Sequence, residues 1–165
     1  RGNEMRKKIR IFIGLFLVML LFTTPISIEA AEQDFVEVPV QEIEIEASSS
    51  NRIKTFTGED GSLDACELGI GISKNGIGVS YTTTTTEIAT ELGVKDMVLQ
   101  EKTLLGWKDI PIKDHYDYDN DFYMGSLVYL KAEVGKTYRV YCTHYAIING
   151  EEYTLYNITD SIVYN

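Results

Sequence analysis

Little in this sequence is of the kind that builds catalytic or metal centres. It holds two histidines and two cysteines, too few and too dispersed for a Cys/His cluster with zinc spacing. No Gly-x-Ser-x-Gly elbow, phosphate-cradling glycine loop or His-Glu-x-x-His helix occurs, and nothing singles out one carboxylate pair among the many acids. The chain is therefore expected not to be an enzyme. A secreted hydrolase of glycan or peptide is the alternative, with a secreted toxin or inhibitor beside it. Basic residues are scarce as well, 15 Lys and Arg against 25 Asp and Glu. Backbone binding to nucleic acid needs clustered Lys and Arg to displace counterions, so nucleic-acid partners are excluded. Long apolar runs are missing but for one. Ile11 to Phe22 is twelve residues, short of the roughly 20 that a membrane span requires.

That single run has the flanks of a secretory signal. Met5 reads as the start, Lys7, Lys8 and Arg10 as a basic leader, Pro25 as a helix breaker and Ala30 as the cleavage residue. Residues 1–30 are thus expected to be upstream residues plus a signal peptide, and the product to be secreted, extracellular or in the cell envelope, with no stable membrane span after processing. Without the five basic and two acidic residues of that segment, 10 basic and 23 acidic residues remain, a net charge of −13. Residues 31–64 alternate acid with β-branched residues, as in Glu42-Ile43-Glu44-Ile45-Glu46. They read as a mobile acidic leader, with at most one segment laid along a sheet edge.

The rest, 65–165, alternates with a period of two. Cys66, Leu68, Ile70 and Ile72 share one side of a first strand. Asn75-Gly76 is a hairpin pair, and Ile77 to Thr86 makes a second strand. Glu87 to Leu92 reads as a helical turn or a long connection. Strands follow at 94–102, at 107–113 (an edge, since Pro111 cannot donate to a ladder), at 127–131, at 137–148 and at 153–164. The spacing predicts an all-β domain, a single seven-stranded antiparallel β-sandwich, because seven strands with one apolar face each must stack two sheets.

Leu130, Gly135 and Tyr138-Arg139-Val140-Tyr141-Cys142 resemble the E–F corner of immunoglobulin-like and fibronectin type III sandwiches. There a tyrosine opens the sixth strand and its hydroxyl bonds back to the corner. More broadly, the Cys-containing first strand, the Thr-rich second, Val98-Leu99-Gln100 with Trp107, and Tyr138-Arg139-Val140 resemble small secreted proteins of Gram-positive bacteria. That resemblance implies no catalytic residue and no assigned function.

Export places Cys66 and Cys142 where disulfides persist, and both point to the presumed core. They are expected to be bonded to each other, closing a loop worth roughly 3–5 kcal/mol; buried free thiols are the alternative. Asp117, Asp119 and Asp121, in a polar loop spanning 114–123, alternate as at the start of a calcium loop. Phe122 stands where that loop needs glycine, so no cofactor is expected, calcium being the one metal these oxygens suit. His144 reads as a hydrogen-bonded core imidazole. Among the 11 tyrosines, Tyr116 and Tyr118 in the loop and Tyr141 and Tyr145 on the outer side of strand 137–148 are candidate ligand contacts, since tyrosine offers rigid amphipathic area. A non-catalytic recognition or structural module facing a cell-surface protein or glycan is the function these features favour.

Overall fold

The computed structural model describes residues 34–52 and 62–165. The expected signal segment, its expected cleavage point and the rest of the acidic stretch lie outside the described residues. Among the described residues the fold is all-β and antiparallel, one sheet of nine strands with a single short 3₁₀ turn at Val40–Glu42. The strands are β1 (Phe35–Glu37), β2 (Ile43–Arg52), β3 (Leu63–Ser73), β4 (Gly76–Thr103), β5 (Gly106–Pro111), β6 (His115–Tyr129), β7 (Thr137–Ile148), β8 (Glu151–Ile158) and β9 (Ile162–Val163).

β4 is the spine. On one side it pairs with β3 and then β7; on the other it pairs with β6 and then β5. The expected second and third strands are therefore one strand of 28 residues, and Glu87 to Leu92 is neither helix nor detached connection. What hides it in the sequence is a pair of register breaks. β4 runs from Thr84 to Ala89 while β6 moves only from Phe122 to Asn120, and a second break falls at Asp96, whose φ is 51°. Each break interrupts the period-two pattern and bends the strand.

Bending brings the two halves of β4 together. Ile77, Val79 and Tyr81 from the first half share one buried cluster with Val94, Met97 and Leu99 from the second, alongside Leu68, Ile70, Val140 and Cys142. A second cluster holds Leu63, Cys66, Ala89, Leu92, Ala146 and Ile148. The sheet thus curls over its own apolar face, and each fully buried Leu or Ile contributes roughly 1.5–3 kcal/mol.

The acidic stretch is not a free leader over its described part. β2 runs along β3, and β1 pairs Phe35–Glu37 with Leu127–Tyr129. The Glu-Ile alternation gives β2 one apolar side, and a register shift between Ile45 and Ala47 turns Ala47 toward the core behind buried Ile43. Two further expectations change. Of the 114–123 segment, all but Asp114 is the first part of β6 and not a loop, and the β3–β4 turn centres on Lys74-Asn75, with Gly76 already paired to Ser73. Asn149-Gly150 does form its turn, with φ of 54° and 82°. Pro111 lies on β5, which pairs with β4 alone among the described strands. The Tyr138 hydroxyl accepts the Glu133 N–H at 3.0 Å, closing the corner before β7.

The disulfide is a correction. Cys66 and Cys142 are both free and buried. Cys66 is flanked in the ladders by Asn51 and Thr83 and packs in the second cluster; Cys142 is paired with Asn157 and packs in the first. They are near enough for Cys66 to add to the raising of the Cys142 thiol, yet they are not bonded. Burial pushes both thiols up to about 12, which leaves almost no thiolate to react at neutral pH.

Candidate functional site

Registers decide which side chains share a face, since directly opposed residues of adjacent strands point the same way. Gly93 stands opposite Tyr116 on β6 and Tyr145 on β7; Glu91 stands opposite Tyr118 and Ile147. Val98 opposes Tyr141, which opposes Ile158, and Thr143 opposes Tyr156. All four candidate tyrosines, 116, 118, 141 and 145, therefore lie on one outer face of the sheet. Tyr156 joins them, and Trp107 on β5 extends the face past Lys102.

Two features organise it. Toward β5, a polar ladder crosses three strands: Arg139 Nε donates to Gln100 Oε1 at 2.7 Å, and Gln100 Nε2 donates to Asp109 Oδ1 at 2.6 Å. Arg139 also lies 4.1 Å over the Trp107 ring, and Tyr141 packs on Tyr156 with centroids 5.8 Å apart. Toward β6, the face hollows into an open cleft of about 380 Å³ lined by Glu91, Lys95, Asp114, Tyr116, Tyr145 and Glu152, with Ile147 and Gly150 at its edge. Gly93 lies between Tyr116 and Tyr145, two of the residues that line it. A Cβ there would run into the His115 carbonyl and the Tyr116 backbone, so glycine lets β6 close on β4.

Inside the cleft the Tyr145 hydroxyl donates to Glu91 Oε1 at 2.6 Å. Burial first, then that bond and charge, raise the tyrosine well above its ordinary value. Lys95 is ion-paired to Glu152, and its Nζ sits 5.0 Å above the Tyr145 ring. Tyr116 and Tyr118 meet edge to face at 5.5 Å, and both are exposed. Tyr145, by contrast, is buried beneath this assembly.

Asp117, Asp119 and Asp121 are not gathered into a calcium site. Both Asp117 carboxylate oxygens accept local donors, the Tyr118 N–H and the Asn120 side chain. Among the described residues no three His, Cys, Asp or Glu converge as metal ligands. His115 is buried beside the Tyr81 ring at 5.5 Å, with Glu37 Oε1 3.9 Å from Nδ1. His144 is a core imidazole as expected, its Nδ1 2.8 Å from Thr83 Oγ1.

Sequence reasoning missed Glu91, Lys95, Glu152 and Tyr156 as members of this face. Their signal is the ladder register, which is set by the bends of β4 and by the β7–β8 turn. No protein-family model matches the chain, and no curated protein matches it either.

Proposed function

We propose that the chain is a secreted or cell-envelope recognition module without catalysis, an immunoglobulin-like or fibronectin type III-like sandwich akin to small secreted proteins of Gram-positive bacteria. Its tyrosine face engages a cell-surface protein or glycan. One observation carries the reading: five tyrosines from three strands share a single outer face beside a cleft. Aromatic side chains give large contact area at low entropic cost and concentrate in recognition surfaces. The Tyr138 corner bond and the curled sheet favour the sandwich.

A glycan hydrolase is the competing reading, favoured by three carboxylates in one cleft. A glycosidase acid must be held protonated by an apolar setting. Glu152 instead faces an ammonium and Glu91 accepts a hydroxyl, so neither carboxylate sits in an apolar setting.

The test is a screen of cell-wall glycans and surface proteins against wild type and the Tyr116→Ala, Tyr141→Ala double variant. Binding is expected to weaken by about tenfold or more with only a small loss of thermal stability, since Tyr116 is exposed and Tyr141 is half-buried outside the core. A ligand bound equally well by the variant overturns the site. Turnover of a glycan or peptide that Glu91→Gln abolishes overturns the non-catalytic reading.

A further inference from the structure

The cleft carries more than a surface for contact; its charges are unbalanced in one direction. Three carboxylates, Glu91, Asp114 and Glu152, line it, and Lys95 is the one cation among the described residues that do so. We infer that this cleft recognises a primary alkylammonium group. The inference rests on the recognition reading above and narrows it to a ligand class.

Lys95 shows that the walls suit such a group. Its own ammonium is held by Glu152 and by the face of Tyr145, the carboxylate-plus-aromatic combination that selects amines over neutral or anionic ligands. Among the described residues lining the cleft no second cation balances Glu91 and Asp114, which accept the Tyr145 hydroxyl and the Asp96 N–H, and Tyr116 supplies a second, exposed ring opposite Tyr145. An incoming ammonium docks beside Lys95, between the two rings and against Glu91 and Asp114. The volume, about 380 Å³, falls within the range of small-ligand sites. Anions are repelled by the excess carboxylate, and a neutral sugar leaves that charge unused.

A lysine side chain and an amino sugar both present this group. Amide shifts of the full-length protein are followed while Nα-acetyl-lysine amide is added, with its Nε-acetylated form as the neutral control. Glucosamine and N-acetylglucosamine form a second pair. Saturable shifts at Gly93, Tyr116 and Tyr145 are expected from the amine of a pair and not from its acetylated partner. The lysine pair responding alone identifies a peptide source, and the glucosamine pair an amino sugar. Glu91→Gln, which keeps an acceptor for Tyr145, should weaken the response about fivefold, the scale of one partly exposed charge contact. Lys95→Met, which keeps the aliphatic stem and removes the competing charge, should strengthen it by a similar factor. Raised salt should weaken it. Equal shifts from amine and acetylated probe, no saturable shift from either amine, or unaltered affinity in both variants overturns the inference. Neutral oligosaccharide shifts at Tyr141 and Tyr156 in a protein that ignores both amines would leave recognition standing and sink the amine cleft alone. Silence to both amines and to the whole ligand screen sinks the two together.

Discussion

His144 is wholly buried with only one of its ring nitrogens satisfied. The Thr83 hydroxyl donates to the Gly93 carbonyl at 3.1 Å, so its oxygen is left to accept from Nδ1–H of the imidazole. Nε2 meets no hydrogen-bonding group among the described residues. Burial lowers the imidazole from 6.5 to about 4. Because the folded value lies below the unfolded one, the contribution to stability is full above pH 6.5. It is lost as the pH falls from about 6.5 to about 4, by roughly 3 kcal/mol in total. Denaturant melts across that window should show the loss in wild type and a flatter profile in His144→Gln, and the imidazole Cε1 proton should not titrate above pH 5. A wild-type profile flat between pH 6.5 and 4 would contradict the buried neutral ring. The cysteines make a second residue-scale prediction. Native protein should resist alkylation at pH 8, and the denatured, unreduced chain should take up two equivalents of reagent. Uptake of none by the denatured chain would restore the disulfide.

At the scale of elements, the strands that read clearly in the sequence are those with regular alternation and a turn of strict chemistry. β7 and the Asn149-Gly150 hairpin belong here, as does the corner at Tyr138, whose hydroxyl accepts from Glu133 and reaches Glu101 Oε2 at 3.4 Å. Tyr138→Phe should cost roughly 0.5–1.5 kcal/mol by removing the hydroxyl that bonds the Glu133 N–H and Glu101, read as a lowered urea midpoint with an unchanged slope. The illegible elements are those whose pattern is set by a partner. β4 hides behind its two register breaks. The first part of β6 looks like a loop because its Asp and Tyr side chains stand at exposed positions while its backbone is paired to β4. The site was legible in composition, through its tyrosines, but not in membership, since Glu91 and Glu152 come together only through β7. Gly93→Ala tests that architecture directly. Its Cβ would meet backbone on β6 rather than a movable side chain, so a loss of roughly 1–3 kcal/mol is expected. Amide protection should fall at His115 and Tyr116 and hold at Leu127 to Tyr129; uniform loss along β6 would mean that the two strands are not locked at Gly93.

For the whole molecule, the question a curled sheet leaves open is what guards its margins. β6 pairs with β1 at Leu127–Tyr129, Val38 bonds Ser126 next to it, and from Gly125 back to His115 its ladder partner among the described strands is β4 alone. An exposed edge of this length, carrying Tyr116, Tyr118, Phe122 and Met124 at exposed positions, is a template for pairing with another copy. Asp117, Asp119 and Asp121 all fall on it and are all exposed. Asp119, with a φ of 52°, also kinks the strand, which spoils a straight approach. The chain's formal net charge of −10 adds a general repulsion between copies. Like charges along an edge oppose such pairing, and that is the role expected of these acids. Replacing all three by asparagine keeps the side-chain shape and the capacity for Asx bonds while removing three charges. The expected outcome is a protein with nearly the wild-type melting curve that associates at concentrations where wild type stays monomeric, more strongly at high salt, where the remaining repulsion is screened. Light scattering and sedimentation velocity read the association. Addition of millimolar calcium to wild type separates this role from a metal site. An edge guard predicts no change in melting temperature beyond the effect of ionic strength, matched by magnesium. A calcium-specific rise that the triple variant loses would return these carboxylates to ligand duty.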